Sequence, residues 1–187
     1  IIMKKKNIVK IERINYSLSY YPIMILSIVL LFFHDLINLM IDNLDNEVFF
    51  LCLLFFISGT VITSFKGAVA RKFVSDEKGK ISVLSNFSWF VIFLFMAFFF
   101  IPDYAAVGAA FSFLIAQILH VLAWSPFYVK YKYYCLEFFD YKFYLSLSIY
   151  FMLLACIYFN FLYLVPVLFL IILFLFYQEI KLFKKTF

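Results

Sequence analysis

His34, Asp35 and Asn38 are the first side chains in this sequence that could do chemistry: an imidazole, a carboxylate and a carboxamide within one apolar stretch. An ionisable residue in such a stretch is costly to bury in lipid and is by default a candidate for an ion or substrate path. The alternative is an interfacial role, because at a helical rise Asp35 lies only about 10 Å from the end of its stretch. Gln117 and His120 form a second group, one helical turn apart. Gln117 could line a cavity or bond a neighbouring helix. His120 is either a packed, hydrogen-bonded histidine or a proton carrier, since imidazole changes charge near neutral pH. It lies about 24 Å into its helix from the same side, a different depth from His34, so no shared metal or proton site is expected. Ser82, Ser85, Asn86 and Ser88 make a third polar patch. It could line a cavity or mark a helix end near lipid headgroups.

Other chemistries leave no trace. There is no nucleotide-binding loop, no Ser/His/Asp set, no HExxH and no carboxylate pair spaced for acid–base work. Cys52, Cys135 and Cys156 show no paired spacing and read as reduced thiols acting as small hydrophobes. Nothing points to an enzyme, and no cofactor or metal is expected.

The elements that must hold these residues are set by composition. The chain is 67% hydrophobic, 24% aromatic and only 14% charged, with a mean hydropathy of +1.03. A soluble domain has too little polar surface at such values, and long uncharged runs read as membrane spans. The expected fold is an all-α, polytopic membrane helical bundle, one membrane-embedded domain over residues 1–187. Six spans are predicted: about Tyr20–Ile41, Val48–Val69, Ile81–Ile101, Tyr104–Tyr128, Phe143–Phe159 and Phe161–Tyr177. The last two come from one apolar stretch that would be about 50 Å long as a single helix, against a bilayer core of roughly 30 Å. A split near Asn160 puts Pro166 near a helix start, where it is tolerated. The basic start Lys4-Lys5-Lys6 resembles a secretory leader, but the run that follows is too long and lacks a small-residue cleavage site. It is read as an anchor, and a chain beginning with Ile1 is expected to be a piece of something longer.

Charge fixes the expected orientation. With six spans, all 16 Lys and Arg fall on one side or at its helix ends: in the N-terminal tail, the Arg71–Lys80 loop with Gly79 as its turn residue, the Tyr128–Lys142 loop, and the C-terminal tail. Lys66 is counted among these helix-end cations. The other side holds only short links, with Asp42, Asp45, Glu47, Asp103 and Asn160. The positive-inside rule makes the basic side and both termini cytoplasmic. The net charge of +5 is therefore a membrane signature, not a nucleic-acid one. The bases and aromatics of Tyr128–Tyr134 fit a headgroup belt better than an RNA surface.

Small residues mark where helices approach closely. Gly59, Thr63 and Gly67 lie at helical spacing on the second span. On the fourth, Ala105, Ala109, Ser112, Ala116 and His120 share a stripe, with Gly108 beside it. These two spans are candidates for close mutual packing, and packing alone is the preferred reading for Gly59, Thr63, Gly67, Gly108, Ala109 and Ser112.

The stretch Phe98–Gln117, FFFIPDYAAVGAAFSFLIAQ, joins two spans through Pro102-Asp103. It resembles a hallmark of polysaccharide flippases, the O-antigen and teichoic-acid type transporters of the multidrug/oligosaccharidyl-lipid/polysaccharide exporter superfamily. Their pattern is Ile-Pro, a short aromatic link, Gly-x-x-Gly-Ala-Ala, a small residue, then Gln or Glu about a turn later. Pro102, Tyr104, Gly108, Ala109, Ala110, Ser112 and Gln117 fit. Ala105-Ala106 stands where a glycine is common, and Phe111 and Phe113 are bulkier than usual. The order of spans from Tyr20 onward and the ending Gln178–Lys185 are similar to the carboxyl half of that family.

The resemblance implies an origin in a two-lobed transporter of about twelve to fourteen helices that works by alternating access. Its cargo would be a lipid-linked oligosaccharide, crossing the bacterial inner membrane in O-antigen, lipopolysaccharide or other surface polysaccharide biosynthesis. This chain would hold only the later helices. The expected partners are membrane lipids, the lipid-linked glycan and other polysaccharide-assembly membrane proteins, with no nucleic acid. The cationic cavity residues that such a flippase would use have no counterpart in the outer halves of the spans. The alternatives are a multidrug/cation antiporter of the same superfamily and an inactive truncated membrane protein.

Overall fold

A computed structural model describes residues 2–41, 45–134 and 139–184, with side chains over 11–41, 45–134 and 139–181. Asp42 of the acidic link, Cys135 and the tail from Lys185 onward lie outside it. The described chain is all-α: α1 (Ile2–Phe32), α2 (His34–Met40), α3 (Asn46–Ser75), α4 (Gly79–Lys130), α5 (Tyr141–Tyr158) and α6 (Val165–Lys184). Four stretches are long and apolar enough to cross a membrane: Ile11–Phe32, Asn46–Ser75, Gly79–Lys130 and Tyr141–Tyr158. They make this a membrane protein.

Helix ends follow local chemistry. Asp45 caps α3 by accepting from the Glu47 and Val48 amides, and Asp140 caps α5 by accepting from those of Lys142 and Phe143. Three helices end alike. Glu77, Lys132 and Asn160 each take a positive φ just past α3, α4 and α5, and the next amide reaches back to Phe73, Tyr128 and Cys156 respectively. This is the Schellman closure. The turn after α3 thus falls on Glu77 and not on Gly79, which starts α4. The split expected near Asn160 is present, and α6 begins only at Val165, with Pro166 at its second position.

Three expected spans are built differently. The first was expected to run unbroken to Ile41, but it stops at Phe32 and resumes as α2 after Phe33. The His34 Nδ1 donates to the Leu31 carbonyl at 2.9 Å, occupying the acceptor that the next helical turn would use. The third and fourth were expected to part at Pro102-Asp103. Both residues stay helical, and the break falls at Ala105, at φ 47 and ψ −120. The contacts Phe100–Phe111, Trp89–Phe113 and Ser85–Tyr128 nest around this break, so the arms before and after Ala105 form a hairpin. Uninterrupted, its 52 residues would span about 78 Å, far more than one bilayer. An alanine at positive φ is strained, while glycine accepts that conformation freely. Ala105→Gly is expected to stabilise the chain by about 1 kcal/mol, the relief of backbone strain less the extra entropy glycine loses on folding, read by denaturant unfolding in micelles.

The chain falls into two compact units, residues 1–29 with 135–187 and residues 30–134. In the first, α1 packs with α5 and α6. Tyr20, Met24, Leu153 and Ile172 are fully buried, and Tyr21 stacks on Phe176. One guanidinium ties its three helices together. Arg13 on α1 donates to both Glu179 oxygens on α6, at 2.9 and 2.7 Å, and to Asp140 at the start of α5, at 2.9 Å. Glu179 is only 4% exposed and also accepts from the Ser17 hydroxyl, with Lys142 3.8 Å away.

In the second unit α3 packs against the α4 hairpin. Gly59 meets the Phe113 ring so closely that a Cβ there would sit 2.6 Å from it, which is the small-residue contact expected between the second and fourth spans. Gly108 serves a different contact: a Cβ there would strike the Phe100 carbonyl, so its bare backbone closes the hairpin itself. The buried Ser112 hydroxyl donates back to the Gly108 carbonyl, and Ala109 is half-buried.

Candidate functional site

The polar groups of the second unit separate into two places. His34, Asp35 and Asn38 gather at the start of α3. Asn46 donates to Asp35 at 2.8 Å and accepts from the buried Asn38 at 3.2 Å, and the His34 ring packs on Phe50. Asp35 is 72% exposed. The trio ties α2 to α3 across the link, and none of its members lines a cavity with His120.

The other place is a cavity of about 480 Å³ between α3 and the two arms of α4. Thr63, Lys66 and Gly67 come from α3, Ser82, Ser85, Asn86 and Trp89 from the first arm, and Phe113, Gln117 and Tyr128 from the second. Local folding explains the set. Lys66 follows Thr63 by three residues and so shares its face, and Gly67 beside them leaves room, since a Cβ there would meet only the Arg71 side chain, at 3.9 Å. The Thr63 hydroxyl is turned back to the Gly59 carbonyl. The Ala105 break folds Gln117 over α3, where its Oε1 accepts from Lys66 Nζ at 3.2 Å.

Lys66 is the electrostatic centre. It is half-buried, its ammonium lies 5.7 Å from the Trp89 ring centroid, and its one hydrogen-bond partner among the described residues is the neutral Gln117. No residue lining the cavity is acidic. The Trp89 indole N–H is buried and has no hydrogen-bond partner among the described residues. The cavity therefore offers one positive charge, the polar side chains of Ser82 and Asn86 and the aromatic face of Trp89, an arrangement suited to an anion carrying polar and apolar parts.

Behind the cavity wall His120 is completely buried. Its Nε2 lies 2.8 Å from the Ser85 carbonyl and 3.1 Å from the Ser85 hydroxyl, and that hydroxyl is 2.9 Å from the Tyr128 hydroxyl. A carbonyl only accepts, so Nε2 carries the hydrogen and Nδ1 keeps a free lone pair. Nδ1 has no partner among the described residues. Trp124 stacks on the ring and donates to Ser88 at 2.8 Å, and Ser88 donates to the Ser85 carbonyl.

Of the residues singled out from sequence, Gln117 and His120 thus meet the Ser82, Ser85 and Asn86 patch, together with Thr63 and Gly67. Lys66 and Trp89 were missed. Lys66 was grouped with helix-end cations, yet α3 continues nine residues past it to Ser75. The available signal was a lone lysine inside an apolar run, on the face of Gly59 and Thr63. Comparison of the chain with family models, curated proteins and solved structures found no match.

Proposed function

We propose that this chain is the later-helix portion of a transporter that flips a lipid-linked oligosaccharide, an O-antigen or related surface-polysaccharide repeat unit, across the bacterial inner membrane. The observation that carries this reading is the meeting of Gln117, from the flippase-like stretch, with the unpaired Lys66 ammonium at the wall of a 480 Å³ cavity. A polyprenyl diphosphate sugar is an anion with an apolar tail and a polar, flat-faced ring. Lys66 suits the diphosphate, Trp89 suits a sugar face, and Asn86, Ser82 and Gln117 suit hydroxyls. The basic loops and both termini lie in the cytoplasm in this reading, with membrane lipids and other polysaccharide-assembly proteins as neighbours. A cation antiporter fits less well, because a cationic cargo and Lys66 would repel.

The test is expression of the gene carrying this chain in a strain lacking its O-antigen flippase. Restored surface glycan is expected. Normal insertion with no glycan restored would overturn the reading.

A further inference from the structure

Behind the cavity wall lies a second potential cation that the proposed function does not use. His120 lies one helical turn from Gln117, which holds Lys66. Its Nε2–H is committed to Ser85, leaving a bare, buried lone pair on Nδ1. A buried acceptor with no partner is uncommon in a folded protein, and Nδ1 is the ring atom that can take a proton without breaking the bond from Nε2 to Ser85. Protonation there would place a second positive charge on the helix face of Gln117, one turn from the residue that holds the Lys66 ammonium. In an empty cavity the two charges repel, and an anion seated at Lys66 removes that repulsion.

The groups that face His120 allow this coupling. From α3 the charged group is Lys66. The first arm of α4 contributes Ser85, which does not ionise in this range. The second arm contributes the Tyr128 hydroxyl, bonded to Ser85, and the stacked Trp124. No carboxylate lines the cavity to neutralise an imidazolium in its place.

We infer that His120 is a proton site linked to anion occupancy of the Lys66 cavity, so that the site takes up a diphosphate group and a proton together. The inference rests on the reading of that cavity as an anion site. No covalent bond changes: the proton comes from water, binds Nδ1 and leaves with the ligand. The linkage is reciprocal, as any coupling of two binding events must be. Lower pH tightens anion binding, and anion binding draws protons from solution.

The experiment uses the purified full chain in detergent and UDP-glucose as the soluble diphosphate diester, whose charge stays constant between about pH 5 and about pH 8, the range in which histidine titrates. Affinity is expected to rise by up to about tenfold per pH unit on acidification. Binding in weak buffer is expected to take up as much as about one proton per ligand, read with an indicator dye. His120→Gln, which keeps a donor for the Ser85 carbonyl, should bind with a flat pH profile and take up no proton. A wild-type chain that binds UDP-glucose with no pH slope and no proton uptake overturns the inference, even if the variant fails to fold. A pH slope that persists in a folded His120→Gln chain overturns it too. Failure of the anion reading itself looks different: Lys66→Met then binds the probe as wild type does, or wild type does not bind it at any pH. A polyprenyl diphosphate glycolipid in the same assay distinguishes a lipid-borne diphosphate from a free one.

Discussion

Replacing Arg13 by Gln is expected to cost about 3 kcal/mol of stability, the lower end of the range for removing one partner from a buried ion pair. The low end applies because Arg13 is 21% exposed and Lys142 remains 3.8 Å from Glu179. The loss is large because the guanidinium makes three hydrogen bonds to two carboxylates at once. It fills both oxygens of a carboxylate that is 4% exposed, and it reaches Asp140 with the same Nη2 that serves Glu179. Without it, Glu179 and Asp140 face each other as like charges. Lysine has one ammonium and no planar fork, so Arg13→Lys should recover less than half of the loss. Asp140→Asn should be much milder, since Arg13 keeps Glu179 and the side-chain oxygen still caps α5. Denaturant unfolding in micelles checks the order. A series in which Arg13→Gln matches wild type would remove the network from the account of how α1, α5 and α6 are held together.

That network was not legible in the sequence. Arg13 and Glu179 are 166 positions apart, and each sits in a terminal segment where basic and acidic residues are ordinary. Periodicity and hydropathy report which face of a helix is apolar, and they say nothing about which distant charge will meet another. The helices themselves were legible for the converse reason: uncharged runs bounded by Asp45, by the charged stretch from Arg71 to Lys80 and by Asp140 mark their limits locally. The exceptions were also local but needed side-chain geometry. His34 taking the Leu31 carbonyl ends α1 early, and the turn between the arms of α4 falls at Ala105, three residues past the proline that seemed to mark it.

Replacing Lys66 by Met is expected to lower affinity for a diphosphate ligand by about ten- to a hundredfold, the loss of a hydrogen bond to a charged group. Stability should be unchanged or higher, because the ammonium lies within an apolar helix without a carboxylate partner and its burial is unfavourable. Loss of binding together with retained stability separates a ligand contact from a packing role. Lys66→Arg should keep most of the binding, since the charge is retained. Binding to the purified chain and unfolding in the same detergent give both readings. A Met variant that binds normally, or that is strongly destabilised, would place Lys66 among structural residues.

The candidate site was half legible. The small-residue stripe with Gln117 and His120, and the patch at Ser82, Ser85 and Asn86, show helical spacing that any single sequence reveals. What joins them is the fold at Ala105 and the depth of Lys66 within α3. Charge counting treated Lys66 like Arg71 and Lys72, which follow within two turns. A helix that extends to Ser75 carries its polar end further along, and Lys66 is left beside Trp89 and Gln117.

Site-directed photocrosslinking tests the central claim most directly. A benzophenone side chain is placed at Asn86, on the cavity wall, or at Phe95, which is 58% exposed on the same arm and does not line the cavity. Both are irradiated in cells making the glycan. The account predicts a polyprenyl-linked glycan adduct at Asn86 that is lost when Lys66→Met is added, and no adduct at Phe95. Equal labelling at Phe95, or labelling at Asn86 that ignores Lys66→Met, would contradict it.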